Sequence, residues 1–189
     1  MRLKDTLLAD LARQYYFDGT PTRKPTGAGI AARSLHPRFT PVILFRIAHA
    51  LNRRGLTPLA RMVALLNFVL FGIEIALSCD IGGGLFLPHT VGTVIGAQRI
   101  GCNAIIFQGV TLGAKEIDIG YHPELRPVLG DNVTIGSGAK ILGTLIIGDN
   151  SVIGANAVVT KSVPINTVMG GVPARIIRTN ETQTDTKNL

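Results

Sequence analysis

The 189-residue sequence has no tryptophan, two cysteines and an aromatic content of only 5%. Cys79 and Cys102 cannot build a disulfide framework, and no CxxC-type spacing offers a zinc site. No metal is therefore expected, and both residues read as buried thiols of a reducing compartment. Charge is also sparse, at 16% against 46% hydrophobic residues, which excludes an intrinsically disordered chain. The 22 glycines follow no three-residue period, which excludes collagen. Long hydrophobic runs are missing too. The most apolar stretch, Met62 to Ile73, is interrupted by Asn67 and closed by Glu74, too short to span a bilayer. The opening MRLKDTLLADLARQYYF is broken by charge and does not read as a secretory signal. The chain is thus expected in the cytoplasm, with a peripheral contact at the inner membrane face left open.

Acidic residues are scarce in the first part of the chain. Residues 1–70 hold 11 Lys+Arg and 3 Asp+Glu, whereas residues 71–189 hold 8 and 9. The cations stand mostly singly among apolar residues and no nucleic-acid motif accompanies them, so a solvated helical surface is expected, with no nucleic-acid partner. Thr40-Pro41 and Thr57-Pro58 are helix start signals, Asn52-Arg53-Arg54-Gly55 is a stop between them, and Leu7, Leu8, Leu11 and Ala12 follow helical spacing. Residues 1–72 are therefore read as a helical N-terminal region, with 18–39 as a loop.

Beyond residue 73 the pattern changes. Leu129, Ile135, Ile141, Ile147, Ile153, Val159 and Ile165 recur every six residues, and small or apolar residues follow each by four. A helix would scatter these positions over three faces, whereas a strand, with its period of two, keeps them all on one side. The same spacing occurs in Val94, Ile100, Ile106 and Leu112, and, offset by one, in Ile81 and Leu87. Short strands stacked as a solenoid of hexapeptides satisfy the whole pattern. The fold class is mainly β, a parallel β-helix over 73–178, with a non-repeat insertion at 114–127 expected to protrude and a polar tail, 179–189, expected to be disordered.

Several pieces of this region, in order, resemble the hexapeptide-repeat acyltransferases and, within them, the serine acetyltransferase family. They are Phe71-Gly72-Ile73-Glu74-Ile75, Leu87-Pro88-His89-Thr90-Val91-Gly92, Gln108-Gly109-Val110-Thr111-Leu112-Gly113, Tyr121-His122-Pro123, Gly138-Ala139-Lys140-Ile141-Leu142-Gly143 and Gly171-Val172-Pro173-Ala174-Arg175. The resemblance implies a left-handed β-helix, a homotrimer with active sites between neighbouring subunits, and acetyl-CoA as co-substrate. It also implies His89 as general base and Glu74, where the family has an Asp, as its carboxylate partner. Neutral imidazole suits removal of a hydroxyl proton, and a carboxylate on the other ring nitrogen fixes the tautomer. Gly113, Ala114, Ser137 and Ala155 align with backbone contacts to CoA, and Lys161 and Arg175 are candidates for its phosphates. His49 reads instead as a helix packing residue.

The departures concern the acceptor. The family carries an acid before the catalytic His and an Arg before the second His, for the ammonium and carboxylate of serine; here Pro88 and Tyr121 stand there. His122, Tyr121 and Arg126 are the candidate acceptor-binding residues, with Arg126 placed to compensate for the lost Arg. A Tyr suits sugar binding. The sequence-based expectation is therefore an O-acetyltransferase of the polysaccharide-cluster type, acting on a sugar hydroxyl in polysaccharide or exopolysaccharide biosynthesis. L-serine O-acetylation is the alternative within the enzyme class, and a non-catalytic trimeric scaffold the alternative outside it.

Overall fold

The computed structural model describes residues 2–118 and 120–179. Four helices come first: α1 (Leu3–Phe17), α2 (Gly27–Ala32), α3 (Thr40–Asn52) and α4 (Thr57–Phe71). Both α3 and α4 carry proline in their first turn, as the Thr-Pro signals predict, and Gly72, at φ 60°, ends α4 in the left-handed conformation that glycine adopts without steric cost. Helix α2 corrects the expectation of a loop over 18–39. Thr26 caps it by accepting a hydrogen bond from the Gly29 amide at 3.1 Å, and a side chain at Gly29 would collide with the Tyr15 hydroxyl.

Fourteen strands follow, in three sheets. The first contains β1 (Ile73–Ile75), β3 (Thr93–Ile95), β6 (Thr111–Gly113), β9 (Lys140–Leu142) and β12 (Val158–Val159). The second contains β2 (Asp80–Ile81), β4 (Arg99–Ile100), β7 (Val128–Leu129) and β10 (Ile146–Ile147). The third contains β5 (Ile105–Ile106), β8 (Thr134–Ile135), β11 (Val152–Ile153), β13 (Thr167–Gly171) and β14 (Ala174–Thr179). All pairings are parallel except β13 with β14. From β4 to β12 chain order cycles through the three sheets, so each of these turns adds one strand to each face of a triangular prism. The repeat aliphatics Leu129, Ile135, Ile141, Ile147, Ile153 and Val159 fill its interior. Each such burial contributes roughly 1.5–3 kcal/mol. At one corner, Asn103, Asn132, Asn150 and Asn166 all adopt positive φ and join in a ladder, each side-chain amide donating to the next Asn at 3.0–3.1 Å.

Two phases of the repeat differ from the sequence reading. Ile95, not Val94, points inward and pairs with Ile75 and Leu112, while Val94 is 37% exposed. In the last turn Val163, not Ile165, takes the interior position by bridging to Ile147, and Ile165 is 59% exposed. The cause is coil length: Met169 lies beside Ile153 at a separation of sixteen, whereas Val159 lies beside Ile141 at eighteen. The expectation for the thiols is half corrected as well, for Cys79 is buried and Cys102 exposed. Thr179 ends β14, and the remainder of the predicted tail lies outside the described residues.

A buried clasp joins the helices to the solenoid. Arg46 of α3 donates through Nε and Nη2 to both carboxylate oxygens of Asp10 of α1 at 2.9 and 3.0 Å. It also donates to the carbonyls of Ile81 and Gly82. Asp10 accepts from the amides of Gly84 and Leu85 at 2.8 and 2.9 Å. Burial pushes the Asp10 carboxyl up from its ordinary value, and the Arg46 charge and the two amides oppose that push. Helix α4 packs on α3 through Ala60 and Asn67, whose side chain donates to the Pro41 carbonyl, and leaves Leu59, Met62, Leu65, Leu66, Phe68, Val69 and Leu70 exposed.

Candidate active site

The residues that resemble a catalytic pair sit at the start of the solenoid. Glu74 is the outward-facing residue of β1, because its neighbours Ile73 and Ile75 take the two inward positions. His89 is exposed on the segment between β2 and β3. That segment is fixed on either side of the imidazole. Leu87 is buried behind it, the Thr90 hydroxyl donates to the Phe71 carbonyl at 2.7 Å, and the Gly92 amide donates to Gly72 at 2.9 Å. The two chain segments therefore run side by side, with Val94 in register beside Glu74. No hydrogen bond joins Glu74 to His89 in the single chain, among the described residues.

A pocket of about 310 Å³ opens on this face, lined by Glu74, Gly113, Ala114, Asp118, Tyr121 and Arg126 among others. Gly113 and Ala114 thus border the same space as Glu74. His89 and His122 are not among the lining residues. The insertion between β6 and β7, which contains a short 3-10 turn at Pro123–Leu125, closes one side. Tyr121, at φ 51°, turns back so that its hydroxyl donates to the Ala97 carbonyl at 2.7 Å, and burial pushes its pKa up. The Arg126 guanidinium carbon lies 4.0 Å from the centre of that ring.

Asp118, which the sequence reading missed, organises the insertion. Its carboxylate accepts from the His122 amide at 2.8 Å and from Arg126 Nε and Nη2 at 3.1 and 2.7 Å, and it pairs with His122 Nδ1 at 2.7 Å. The His122 and Arg126 bonds hold it down to about 2, and the same pairing raises the pKa of His122 from its ordinary value. The only trace in the sequence is a carboxylate four residues before a histidine. These contacts engage two of the expected acceptor-binding residues within the chain itself. Arg126 borders the pocket but is nearly buried and bonded to Asp118 and to the Gly96 carbonyl. His122 is exposed and turned to Asp118 rather than into the pocket.

The candidate CoA contacts lie further along. Ser137 and Ala155 stand on successive turns, tied by the Asn156 amide donating to the Ser137 carbonyl at 2.7 Å. Their own amides have no backbone partner among the described residues, so they are available to a ligand. Lys161 and Arg175 are exposed, Lys161 after β12 and Arg175 on β14. Neither borders the pocket at Glu74. The groups at this face (the Glu74 and Asp118 carboxylates and the Tyr121 hydroxyl in the pocket, with the His89 imidazole on the adjoining segment) suit acid–base chemistry. No group of His, Cys, Asp and Glu able to hold a metal occurs among the described residues.

Residues 126–161 match the family model described as "Bacterial transferase hexapeptide (six repeats)". The serine acetyltransferase of Synechococcus elongatus is 36% identical over 173 residues, covering 91% of this chain and 68% of that one. The crystal structure of Neisseria gonorrhoeae serine acetyltransferase in complex with serine superposes with a TM-score of 0.76 at 33% identity, covering 93% of this chain and 69% of that one. A serine acetyltransferase in complex with CoA gives 0.79 at 30% identity, with coverages of 93% and 69%. The fold is accordingly their left-handed parallel β-helix. These relatives carry the name serine acetyltransferase, which gives the expected polysaccharide-cluster branch no support. The chain belongs to the serine acetyltransferase family of hexapeptide-repeat transferases and is, with them, an acyltransferase.

Proposed function

We propose that this protein transfers the acetyl group of acetyl-CoA to the hydroxyl of L-serine. The observation that carries the reading is the placement of Glu74, beside the His89 segment, in one pocket with the small residues Gly113 and Ala114. Neutral His89 takes the proton of the acceptor hydroxyl as its oxygen attacks the thioester carbonyl. The tetrahedral intermediate collapses with loss of the CoA thiolate, which regains a proton from the imidazolium. Glu74, exposed beside the His89 segment, is the carboxylate that stabilises that imidazolium. The pantetheine arm lies along the open amides of Ser137 and Ala155, with Lys161 and Arg175 toward its phosphates. His89 stands outside the single-chain pocket, which supports a homotrimer in which a neighbouring subunit completes each site. Light scattering at micromolar concentration should give about three times the 20.1 kDa chain mass, and a single-chain mass would refute it.

A second reading, a sugar hydroxyl as acceptor, rests on Pro88 and Tyr121. Neither supplies a charge to a zwitterion, and Arg126 is already spent on Asp118. The exposed apolar residues of α4 and the basic helical region support a companion reading, a peripheral contact with an anionic membrane where a lipid-linked sugar would be met. No helix among the described residues is long and apolar enough to cross a membrane. Thiol release from acetyl-CoA separates the readings. Saturable release with L-serine supports the proposal, release with nucleotide sugars or oligosaccharides alone moves the acceptor to sugars, and no release with any acceptor leaves a scaffold.

A further inference from the structure

A second and larger cleft, of about 840 Å³, lies between the helical region and the sheet that contains β2 and β4. It is on a different face from Glu74 and shares no lining residue with the pocket there. Its lining is rich in guanidinium groups: Arg2 before α1, Arg53 and Arg54 after α3, and Arg99 on β4. None of these four forms an ion pair among the described residues, whereas the fifth, Arg46, is consumed by Asp10. The acids on the rim are Asp80, in register beside Arg99, and Asp131, whose Oδ1 already accepts from the Cys102 amide at 2.7 Å. Positive charge is therefore in excess and largely uncommitted.

Two further polar groups border the same space. His49 holds the Leu77 carbonyl through Nδ1 at 2.9 Å, and because a carbonyl can only accept, Nδ1 carries the proton. Nε2, which carries no proton in that tautomer, is then the nitrogen left to accept from a ligand hydroxyl. Gly83 is buried, and its backbone amide has no partner among the described residues. A buried amide without an acceptor is rare and costly unless something supplies one. Planar guanidinium forks fit phosphate oxygens in pairs, and a concave wall of low dielectric strengthens their field.

From this juxtaposition we infer that the cleft is a binding site for a multiply phosphorylated small molecule, separate from the acetyl-transfer site. The cavity has room for a ligand of nucleotide size. The inference does not depend on the acceptor or on acetyl transfer.

Inorganic tripolyphosphate is the probe, titrated calorimetrically into the full chain at low salt. Saturable binding near one equivalent per chain is expected. Arg99→Gln, and separately Arg53→Gln with Arg54→Gln, should each weaken it about tenfold or more, the scale of a lost charge-assisted contact. These side chains are exposed, so the ligand-free variants should melt as the wild type does. Lys161→Gln with Arg175→Gln, on the side proposed for CoA, should leave the affinity unchanged. Absence of binding, displacement by sulfate at equal ionic strength, or loss in the Lys161/Arg175 variant with no loss in Arg99→Gln would each overturn the proposal.

Discussion

Replacing Asp10 by alanine tests how the helical region is fixed to the solenoid. The side chain is 0% exposed and accepts four hydrogen bonds, two from Arg46 and one each from the amides of Gly84 and Leu85. Asp10→Ala would strand a guanidinium that is 4% exposed and two amides with no other acceptor. Removing one partner of a buried pair costs about 3–5 kcal/mol, because the remaining charge stays desolvated. For a chain of this size each kcal/mol moves the melting temperature by about 2–4 °C, so a fall of roughly 6–20 °C follows. Arg46→Met on the Asp10→Ala background removes the stranded charge and should recover part of that loss. Thermal unfolding followed by far-ultraviolet circular dichroism on the full chain measures all three proteins. A melting temperature for Asp10→Ala within about 2 °C of wild type, or a double variant less stable than the single, would refute the reasoning. The clasp also reaches the active-site face, because Gly84 and Leu85 lead directly into the segment that delivers His89. Turnover should therefore drop in Asp10→Ala even well below its melting temperature.

Further outcomes concern the chemistry and the insertion. His89→Ala should lower kcat roughly 100-fold or more with CoA affinity nearly intact, and Glu74→Gln should be milder; steady-state kinetics with unchanged turnover in His89→Ala would exclude it as the base. The Asp118–His122 pair has a defined pH window. Asp118, lowered to about 2, adds stability above its ordinary value and loses it as pH falls toward 2. His122, whose pKa is raised, contributes fully below its ordinary value and loses that contribution as pH rises through the raised one. Proton NMR of the His122 ring should therefore give a midpoint above 6.5 that falls in Asp118→Asn, and a midpoint insensitive to that change would count against the pairing.

The six-residue period was readable because every full turn obeys one rule, an aliphatic facing inward at Leu129, Ile135, Ile141 and their successors. It misled only where the coil length departs from eighteen, at Val94 and Ile165, since a pattern assigns phase correctly only while the period holds. The catalytic candidates His89 and Glu74 were legible through the motifs around them. Asp118 was not, because its importance comes from a loop that folds back on itself. The Asp10–Arg46 clasp was equally hidden, since residues thirty-six apart on two helices meet only through tertiary packing. Likewise nothing in the local sequence shows that Arg126 engages its guanidinium with Asp118 and the Gly96 carbonyl.

The reversal of direction at β14 bears on how such a stack ends. A parallel solenoid has an unpaired strand edge wherever its last turn stops, and an identical chain could extend the stack there as one more turn. Because β14 runs antiparallel to β13 after a shortened final turn, the third sheet presents at its terminus a strand of the opposite polarity. An incoming copy would find the hydrogen-bond spacing of an antiparallel edge where its own coil requires a parallel one. Residues 174–179 should thus hinder filament growth, and trimming the chain back to Gly170 should give end-to-end polymers detectable by light scattering; unchanged particle size would count against it.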